Sequence, residues 1–311
     1  MSFELEPAYL ELQREARAFA RSIEPLAVEA DASSEVHPGM LAALQKSGLS
    51  GLMVPAEHGG RSARPDPLAI CLVREVLMAT SSHADSLFAL QGIGSYAITV
   101  AGSPEQRAHW LPRVARAEAL AALALTEDNA GSDLKAVSTE VKAYDDRLVL
   151  QGSKSFISNG VSAAFFVVFA REGSGYSMVL VPAATPGVTV TPSPELIAPH
   201  VLGEVRFDNV VLPPDARLGT AGQGLQLVLA TLGIFRVSVA GAAVGLAQAA
   251  LEEAVRHTRT RVQFGRPLAQ LGPVAQMLAD SCAEVEMARL LTYRAASRAV
   301  AASTIFSMMR R

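Results

Sequence analysis

A polar run interrupts an apolar stretch near the middle of the chain. After Ala124 and Leu125 the sequence continues Thr126-Glu127-Asp128-Asn129-Ala130-Gly131-Ser132-Asp133. A turn with a glycine and small neighbours can point several backbone N–H groups at one anion, and hydroxyl groups add further donors. The run therefore indicates either an anion-binding turn or an ordinary turn closed by Asx and serine side chains.

A second candidate is an aromatic residue two positions before a hydroxyl, Phe156 and Ser158, within residues 152–160. In a strand, residues two apart project from the same face, so the ring and the hydroxyl would point together. Such a pair suits a flat heteroaromatic ligand, which the ring can stack on and the hydroxyl can bond. The same run is also typical of a strand that leads into a hairpin.

A third candidate is the basic segment 261–268, which follows a long helical pattern and begins with Arg261. A guanidinium at a helix end can bind a phosphate, or it can complement the helix dipole at the C-terminus. For this segment alone, the helix-dipole interpretation is favoured.

The hydrophobic pattern divides the chain into three parts that must position these motifs. Apolar residues recur at helical spacing up to about residue 120, alternate in Val- and Phe-rich runs from there to about 222, and then return to helical spacing. We predict an α+β protein: a helical domain over 1–122, an antiparallel β-barrel or sandwich over 123–222, and an incomplete helical bundle over 223–311. Ser103 to Gln106 predict a capped helix start.

The composition argues against several classes of protein. The chain has 311 residues and a formal net charge of -3 without a basic cluster, so nucleic acid is not an expected partner. Cys71 and Cys282 lack metal-ligand spacing, so neither a disulfide framework nor a metal site is expected. The N-terminal sequence has neither secretory nor transit character, so we expect a cytoplasmic protein. Arg236 interrupts the apolar stretch 225–251, which indicates a bundle helix rather than a membrane span.

Taken together, the motifs resemble the acyl-CoA dehydrogenase family of flavoproteins. The similar segments are 48–60, 106–113, 124–133, 152–159, 207–210, 261–265 and 278–280. The resemblance implies a helical domain, a β-domain and a helical bundle, in agreement with the periodicity. It also implies FAD as the cofactor, and removal of the α-proton of an acyl-CoA thioester while the β-hydrogen passes as hydride to flavin N5.

The resemblance also implies a set of cofactor residues. These are Leu123, Leu125, Thr126, Gly131, Ser132, Phe156, Ile157, Ser158, Arg261, Gln263 and Phe264. By this resemblance, Thr126 would bond the pyrimidine edge of the flavin, and Gly131 and Ser132 would approach the pyrophosphate. Phe156 would flank the isoalloxazine, with Ser158 near N5.

The same resemblance implies partners. Arg261 and Gln263 would reach the FAD phosphates of a neighbouring subunit, which requires a homo- or hetero-oligomer, either a dimer or a tetramer. Ser132 and Arg236 would border the acyl-CoA channel. An electron-transfer flavoprotein or a similar acceptor would take up the electrons.

No residue can be assigned as the catalytic base. Most relatives carry it as a carboxylate after the second long helix, so we expect a C-terminally shortened member. Others carry a glutamate directly before the arginine that matches Arg236, where this chain has Phe235. His200 is a loop histidine of a kind more typical of a protein surface. Two alternatives stay open: a catalytically incomplete FAD-binding subunit, and a flavin monooxygenase or oxidase on the same fold.

Overall fold

The computed structural model of the protein describes residues 4–194 and 196–308. Its N-terminal part contains five α-helices: α1 (Pro7–Asp31), α2 (Pro38–Ser47), α3 (Pro67–Thr80), α4 (Ser82–Ala101) and α5 (Pro104–Ala115). Proline at the first position suits a helix start because its φ is preset and the N–H that it lacks would have no helical partner. This accounts for the proline at the start of every helix here except α4.

Helix α5 begins with the capping box that the sequence predicts. Ser103 Oγ accepts a hydrogen bond from the Gln106 N–H at 3.2 Å, and Gln106 Oε1 accepts one from the Ser103 N–H at 2.8 Å. Leu111 and Val114 of the same helix are fully buried. The prediction of a capped start is confirmed.

The middle part forms an eight-stranded sheet. Its strands are β1 (Ala121–Ala124), β2 (Glu140–Ala143), β3 (Leu148–Ser158), β4 (Phe165–Glu172), β5 (Gly175–Pro182), β6 (Val188–Pro192), β7 (Leu202–Leu212) and β8 (Arg217–Leu218). They lie in the order β6-β7-β3-β2-β4-β5-β8, with β1 beside β4. The strands pair antiparallel, as predicted, except at β4. There β1 pairs in parallel, and so does one residue of β2.

Strand β4 is buried on both faces and joins two hydrophobic cores. Phe165, Val167 and Phe169 pack into the core shared with the helices. Phe166 and Val168 point to the other face, into the core enclosed by the sheet. This is why the sequence shows a continuous apolar run there rather than an alternating one.

Two long helices complete the fold, α6 (Gly224–Thr260) and α7 (Gly272–Met308). Between them lies a short hairpin of β9 (Val262–Gln263) and β10 (Arg266–Pro267). Helix α6 is long and apolar enough to cross a membrane, but 50% of its most apolar window is buried inside the protein. The predicted α+β class with its three-part architecture is confirmed. The domain limits after residues 122 and 222 fall within β1 and just before α6, and they stay predictions.

Close packing brings α6 against α3. An added Cβ at Gly245 would lie 1.9 Å from the Glu75 carbonyl oxygen, so only glycine allows this approach. A buried ion pair lies alongside: Arg74 Nη2 is 2.6 Å from Asp85 Oδ2, and Arg74 Nη1 donates to Ser238 Oγ at 3.0 Å. These contacts fix α6 to α3 and α4.

Candidate functional site

The predicted anion-binding turn follows β1 and is closed by its own backbone. The Glu127 N–H donates to the Ala130 carbonyl at 3.0 Å, and the Ala130 N–H donates to the Glu127 carbonyl at 3.1 Å. Gly131 and Ser132 come next and are exposed. In the described part of the chain, no backbone carbonyl accepts a hydrogen bond from either of their N–H groups. Two adjacent backbone donors are therefore available to a ligand.

A buried ion pair lies beneath this turn. The Lys154 side chain on β3 is 0% exposed, and its Nζ lies 2.8 Å from Glu127 Oε1. Lys154 Nζ also donates to the Leu125 carbonyl at 3.0 Å. The Glu127 carboxylate accepts three more hydrogen bonds, from the Ser138 N–H and hydroxyl at 2.6 and 2.7 Å and from the Thr139 N–H at 3.0 Å. The pair joins the turn to β3.

Both members of this pair carry their charge at pH 7. Burial opposes ionisation of Glu127, but hydrogen bonds from Lys154, Ser138 and Thr139 outweigh it and lower the pKa to about 2. Burial lowers the pKa of Lys154 to about 8, while the attraction of Glu127 opposes that shift. The turn is thus held by a charge-assisted hydrogen bond out of contact with water.

Strand β3 is irregular where the predicted aromatic residue and hydroxyl lie. Its pairing with β7 shifts register between Lys154 and Ile157, and Phe156 has a φ of 57° inside this bulge. The prediction of a regular strand through Phe156 and Ser158 is therefore wrong at Phe156. Phe156 is 50% exposed and Ile157 is buried. Ser158 is half-buried. The bulge thus leaves the aromatic ring accessible to a ligand.

Backbone contacts bring the turn and the bulge together. The Ser155 N–H donates to the Thr126 carbonyl at 2.9 Å, and the Ser155 hydroxyl donates to the Asp128 carboxylate. On the other side, the Phe156 N–H donates to Glu204 Oε1 of β7 at 3.1 Å. The first two predicted motifs therefore form one surface.

The third predicted motif is separate from this surface. Arg261 follows the last residue of α6, and Gln263 ends β9. Phe264 stands at the tip of the hairpin, 88% exposed with a φ of 50°. Among the described residues, no hydrogen bond or ion pair links these three side chains to the turn or to the bulge. They are accessible to a second chain.

Helix α6 presents the predicted substrate arginine on an exposed face. Arg236 is exposed, whereas Phe235 before it is 2% exposed. The rings of Phe235 and Tyr96 meet edge to face, with their centroids 6.0 Å apart. An aromatic ring in a packed core therefore occupies the place directly before the arginine, and no carboxylate is available from it.

Two clefts of about 460 and 530 Å³ lie along α6, and no predicted cofactor residue lines either of them. Gly131 and Ser132 of the turn and Phe156 of the bulge are exposed on the surface of the single chain. In the described part of the chain, no group of three or more His, Cys, Asp and Glu side chains is placed to hold a metal ion.

Comparison with known proteins identifies the family. Family models of the N-terminal, middle and C-terminal domains of acyl-CoA dehydrogenases match residues 6–118, 122–210 and 222–308. The cyclohex-1-ene-1-carbonyl-CoA dehydrogenase of Geobacter metallireducens is 38% identical over 284 residues, covering 89% of this chain and 74% of that protein. The chain belongs to the acyl-CoA dehydrogenase family.

Solved structures of acyl-CoA dehydrogenases share the fold. Butyryl-CoA dehydrogenase from Megasphaera elsdenii matches with a TM-score of 0.90 at 29% identity, covering 96% of this chain and 81% of that one. A glutaryl-CoA dehydrogenase from Mycobacterium smegmatis, solved in complex with FADH2, matches with a TM-score of 0.87 at 28% identity, covering 93% and 75%. The predicted family, the FAD cofactor and the oxidoreductase activity are confirmed.

One observation tests whether the turn of this acyl-CoA dehydrogenase fits FAD. An added Cβ at Gly131 would meet no atom within 4 Å, and Gly131 is not among the glycines with positive φ. Neither packing nor backbone conformation requires a glycine there, and the open space would let a ligand lie directly against the backbone. The free N–H groups of Gly131 and Ser132 suit phosphate oxygens, and the exposed ring of Phe156 suits a flat heterocycle. The residues fit the cofactor.

Sequence reasoning missed the residues that hold the site together. Three residues outside the predicted cofactor set fix the turn and the bulge in place: Glu127, Lys154 and Glu204. The sequence offered one signal for the first two: a glutamate and a lysine, opposite in charge, stand in two segments that the family resemblance implies bind one cofactor. Nothing in the sequence marks Glu204, because its contact depends on the register of β3 with β7.

Proposed function

We propose that this acyl-CoA dehydrogenase binds FAD across the Thr126–Ser132 turn and the Phe156–Ser158 bulge and oxidises an acyl-CoA thioester there. The observation that carries the proposal is the junction of these two segments. It consists of the hydrogen bond from the Ser155 N–H to the Thr126 carbonyl at 2.9 Å and of the Glu127–Lys154 ion pair at 2.8 Å. The junction places backbone donors and an accessible aromatic ring on one surface.

Each part of this surface has a task. The N–H groups of Gly131 and Ser132 would bind the pyrophosphate, and the Thr126 hydroxyl would bond the pyrimidine edge of the flavin. The Phe156 ring would flank the isoalloxazine, and the Ser158 hydroxyl would lie near N5. Bound FAD supplies the acceptor for the hydride that leaves the β-carbon of the substrate.

The substrate class follows from the relatives and from Arg236. The three relatives described above act on CoA thioesters of a cyclic, a short straight-chain and a dicarboxylic acid, by their names. Arg236 is an exposed cation that no ion pair of the described residues neutralises, so it can attract an anionic CoA thioester. The resemblance implies that Ser132, which is exposed after the turn, would border the acyl-CoA channel with Arg236.

Flavin bleaching tests the proposal. The FAD-loaded protein is mixed without oxygen with butyryl-CoA, glutaryl-CoA and cyclohex-1-ene-1-carbonyl-CoA, and the flavin absorbance is followed. At least one thioester is expected to bleach the flavin, since hydride transfer reduces it. Bound FAD that no thioester bleaches would contradict dehydrogenation and leave an FAD-binding subunit. Protein that is folded but takes up no FAD would contradict the whole proposal.

We further propose that the site is completed by a second copy of the chain and that an electron-transfer flavoprotein, or a similar acceptor, reoxidises the flavin. The exposed turn and bulge of the single chain and the exposed hairpin that follows α6 support the oligomer. Arg261 offers a planar cation to a phosphate of the FAD held by its partner.

Arg261→Ala is therefore expected to weaken FAD binding about tenfold, the loss of one charge-assisted hydrogen bond. Arg259→Ala is the matched control, because Arg259 is an exposed arginine in the last turn of α6. Flavin fluorescence titration gives the affinity, and sedimentation gives the oligomeric state. Two results would contradict the assignment of Arg261 to the FAD of a partner subunit. One is a monomeric protein that still binds FAD tightly, and the other is an equal loss of FAD affinity in Arg261→Ala and Arg259→Ala.

A further inference from the structure

The loop before β7 brings His200 against the last residue of β3. The Ser158 hydroxyl oxygen and His200 Nε2 are 3.0 Å apart. Strand pairing sets this contact, since Ser158 pairs with Leu202 and the Asn159 N–H donates to the Val201 carbonyl at 2.9 Å. The imidazole is therefore held next to the hydroxyl by the same pairing that shapes the bulge.

Burial favours the neutral form of the His200 ring. Burial lowers the pKa of His200 below its ordinary value. His83 at the start of α4 is buried, burial lowers its pKa, and a charge on His37 or on His200 lowers it further. Asp31 binds the His83 N–H at 2.9 Å, and Glu204 of β7 binds the Phe156 N–H. No carboxylate among the described residues forms an ion pair with His200.

A neutral imidazole gives this hydroxyl two arrangements. With the proton on Nε2, the ring donates to Ser158 and the Ser158 O–H is free to donate outward. With the proton on Nδ1, the Ser158 O–H donates to Nε2 and its oxygen accepts from outside. The exchange moves one proton from Nδ1 to water and one from water to Nε2, or the reverse, so it needs no net proton. An imidazolium allows only the first arrangement.

We propose that His200 is a positioning residue that sets whether the Ser158 hydroxyl donates to the cofactor or accepts from it. The inference rests on the proposed function, in which Ser158 faces flavin N5. That nitrogen is a hydrogen-bond acceptor in oxidised flavin and carries a hydrogen in reduced flavin. The neutral imidazole satisfies Ser158 in both states, whereas the imidazolium satisfies it only with oxidised flavin.

Linkage gives the sign of the expected effect. Reduction of the cofactor favours the arrangement in which Nε2 accepts, and this arrangement exists only in the neutral ring. The pKa of His200 is therefore expected to fall by about 1 when the bound FAD is reduced. A fall of this size corresponds to the free energy of one hydrogen bond. A histidine that only fills space at this position would titrate alike in both states or gain a proton beside the reduced, more negative flavin.

The test titrates the histidines by NMR in FAD-loaded protein with 13C-labelled histidine, before and after reduction with dithionite. His200→Gln identifies the His200 signal by its absence, and the other histidines apart from His83, whose pKa responds to a charge on His200, serve as internal references. Ser158→Ala is the matched variant, because it removes only the hydroxyl that couples the ring to the cofactor. We expect the fall in pKa in the wild type and its loss in Ser158→Ala.

Two results would overturn the inference while leaving the proposed function intact: a His200 pKa that does not fall on reduction, or a fall of equal size in Ser158→Ala. Folded protein that takes up no FAD would instead overturn the proposed function and this inference with it. Unfolding of Ser158→Ala would leave the wild-type comparison of the oxidised and reduced states as the deciding measurement.

Discussion

Replacing Gly131 with valine is expected to abolish tight FAD binding while leaving the unfolding temperature of the apoprotein unchanged. The space beside Gly131 is open in the chain itself, since an added Cβ meets no atom within 4 Å. A branched side chain there fills the space through which the pyrophosphate approaches the backbone donors. We expect an affinity loss of at least a hundredfold, about 2.7 kcal/mol, measured by fluorescence titration with FAD.

Two variants bracket this result. Gly131→Ala adds one methyl group and is expected to give an intermediate loss. Gly173→Asn in the β4–β5 hairpin is the control, since Gly173 is another glycine with open space around it, and asparagine tolerates its φ of 56°. If Gly131→Val and the wild type bind FAD with equal affinity, the turn is not part of the cofactor site. A large drop in apoprotein stability would mean that packing, not the ligand, requires this glycine.

The different behaviour of two glycines shows what the sequence can predict. Gly131 is identifiable within a family motif, and the structure shows that no packing contact requires a glycine there, since an added Cβ would meet no atom within 4 Å. Gly152 lies in a second motif, but an added Cβ there would be 2.6 Å from Thr139 Oγ1, and its φ is 145°. Its role is to let two chain segments approach each other. The sequence does not distinguish these roles, because the distinguishing contact comes from a residue 13 positions earlier.

The fold was more predictable than the site, for a physical reason. Helix and strand periodicity are local, so the capping box at Ser103 and the long α6 and α7 follow directly from the spacing of apolar residues. The bulge at Phe156 and the contact of Ser158 with His200 depend on how β3 pairs with β7, some 45 residues later. Register of that kind leaves no local pattern in the sequence.

Glu127→Gln is expected to destabilise the protein by about 3–5 kcal/mol, the cost of leaving Lys154 buried without its counter-ion. Lys154 has 0% exposed side-chain surface and cannot reach water without movement of the turn. Urea unfolding of wild type and variant at pH 7 measures the difference. Because Glu127 closes the turn that carries Gly131, the variant is also expected to bind FAD more weakly.

A double-mutant cycle separates the ion pair from its surroundings. Lys154→Met replaces the ammonium with an apolar chain of similar length, and Glu127→Gln with Lys154→Met leaves no unpaired buried charge. The double variant is expected to be more stable than the sum of the two single losses indicates, since contacting charges do not act independently. Additive losses would show that the two charges do not stabilise each other.

The lowered pKa of Glu127 in its ion pair with Lys154 predicts how the stability of the protein depends on pH. The pKa of Glu127 is lowered to about 2 in the folded protein, below the ordinary value for a glutamate of about 4.3, so the unfolded chain binds more protons between these values. The stabilisation from ionised Glu127 is therefore complete above the unfolded value and is lost as the pH falls towards the folded one. The stability difference between wild type and Glu127→Gln should shrink over that interval. If the stability difference between wild type and Glu127→Gln stays constant from pH 6 down to the acid transition, the charge of the carboxylate does not hold the turn. The loss of stability in the variant would then come from hydrogen-bond geometry that glutamine cannot reproduce.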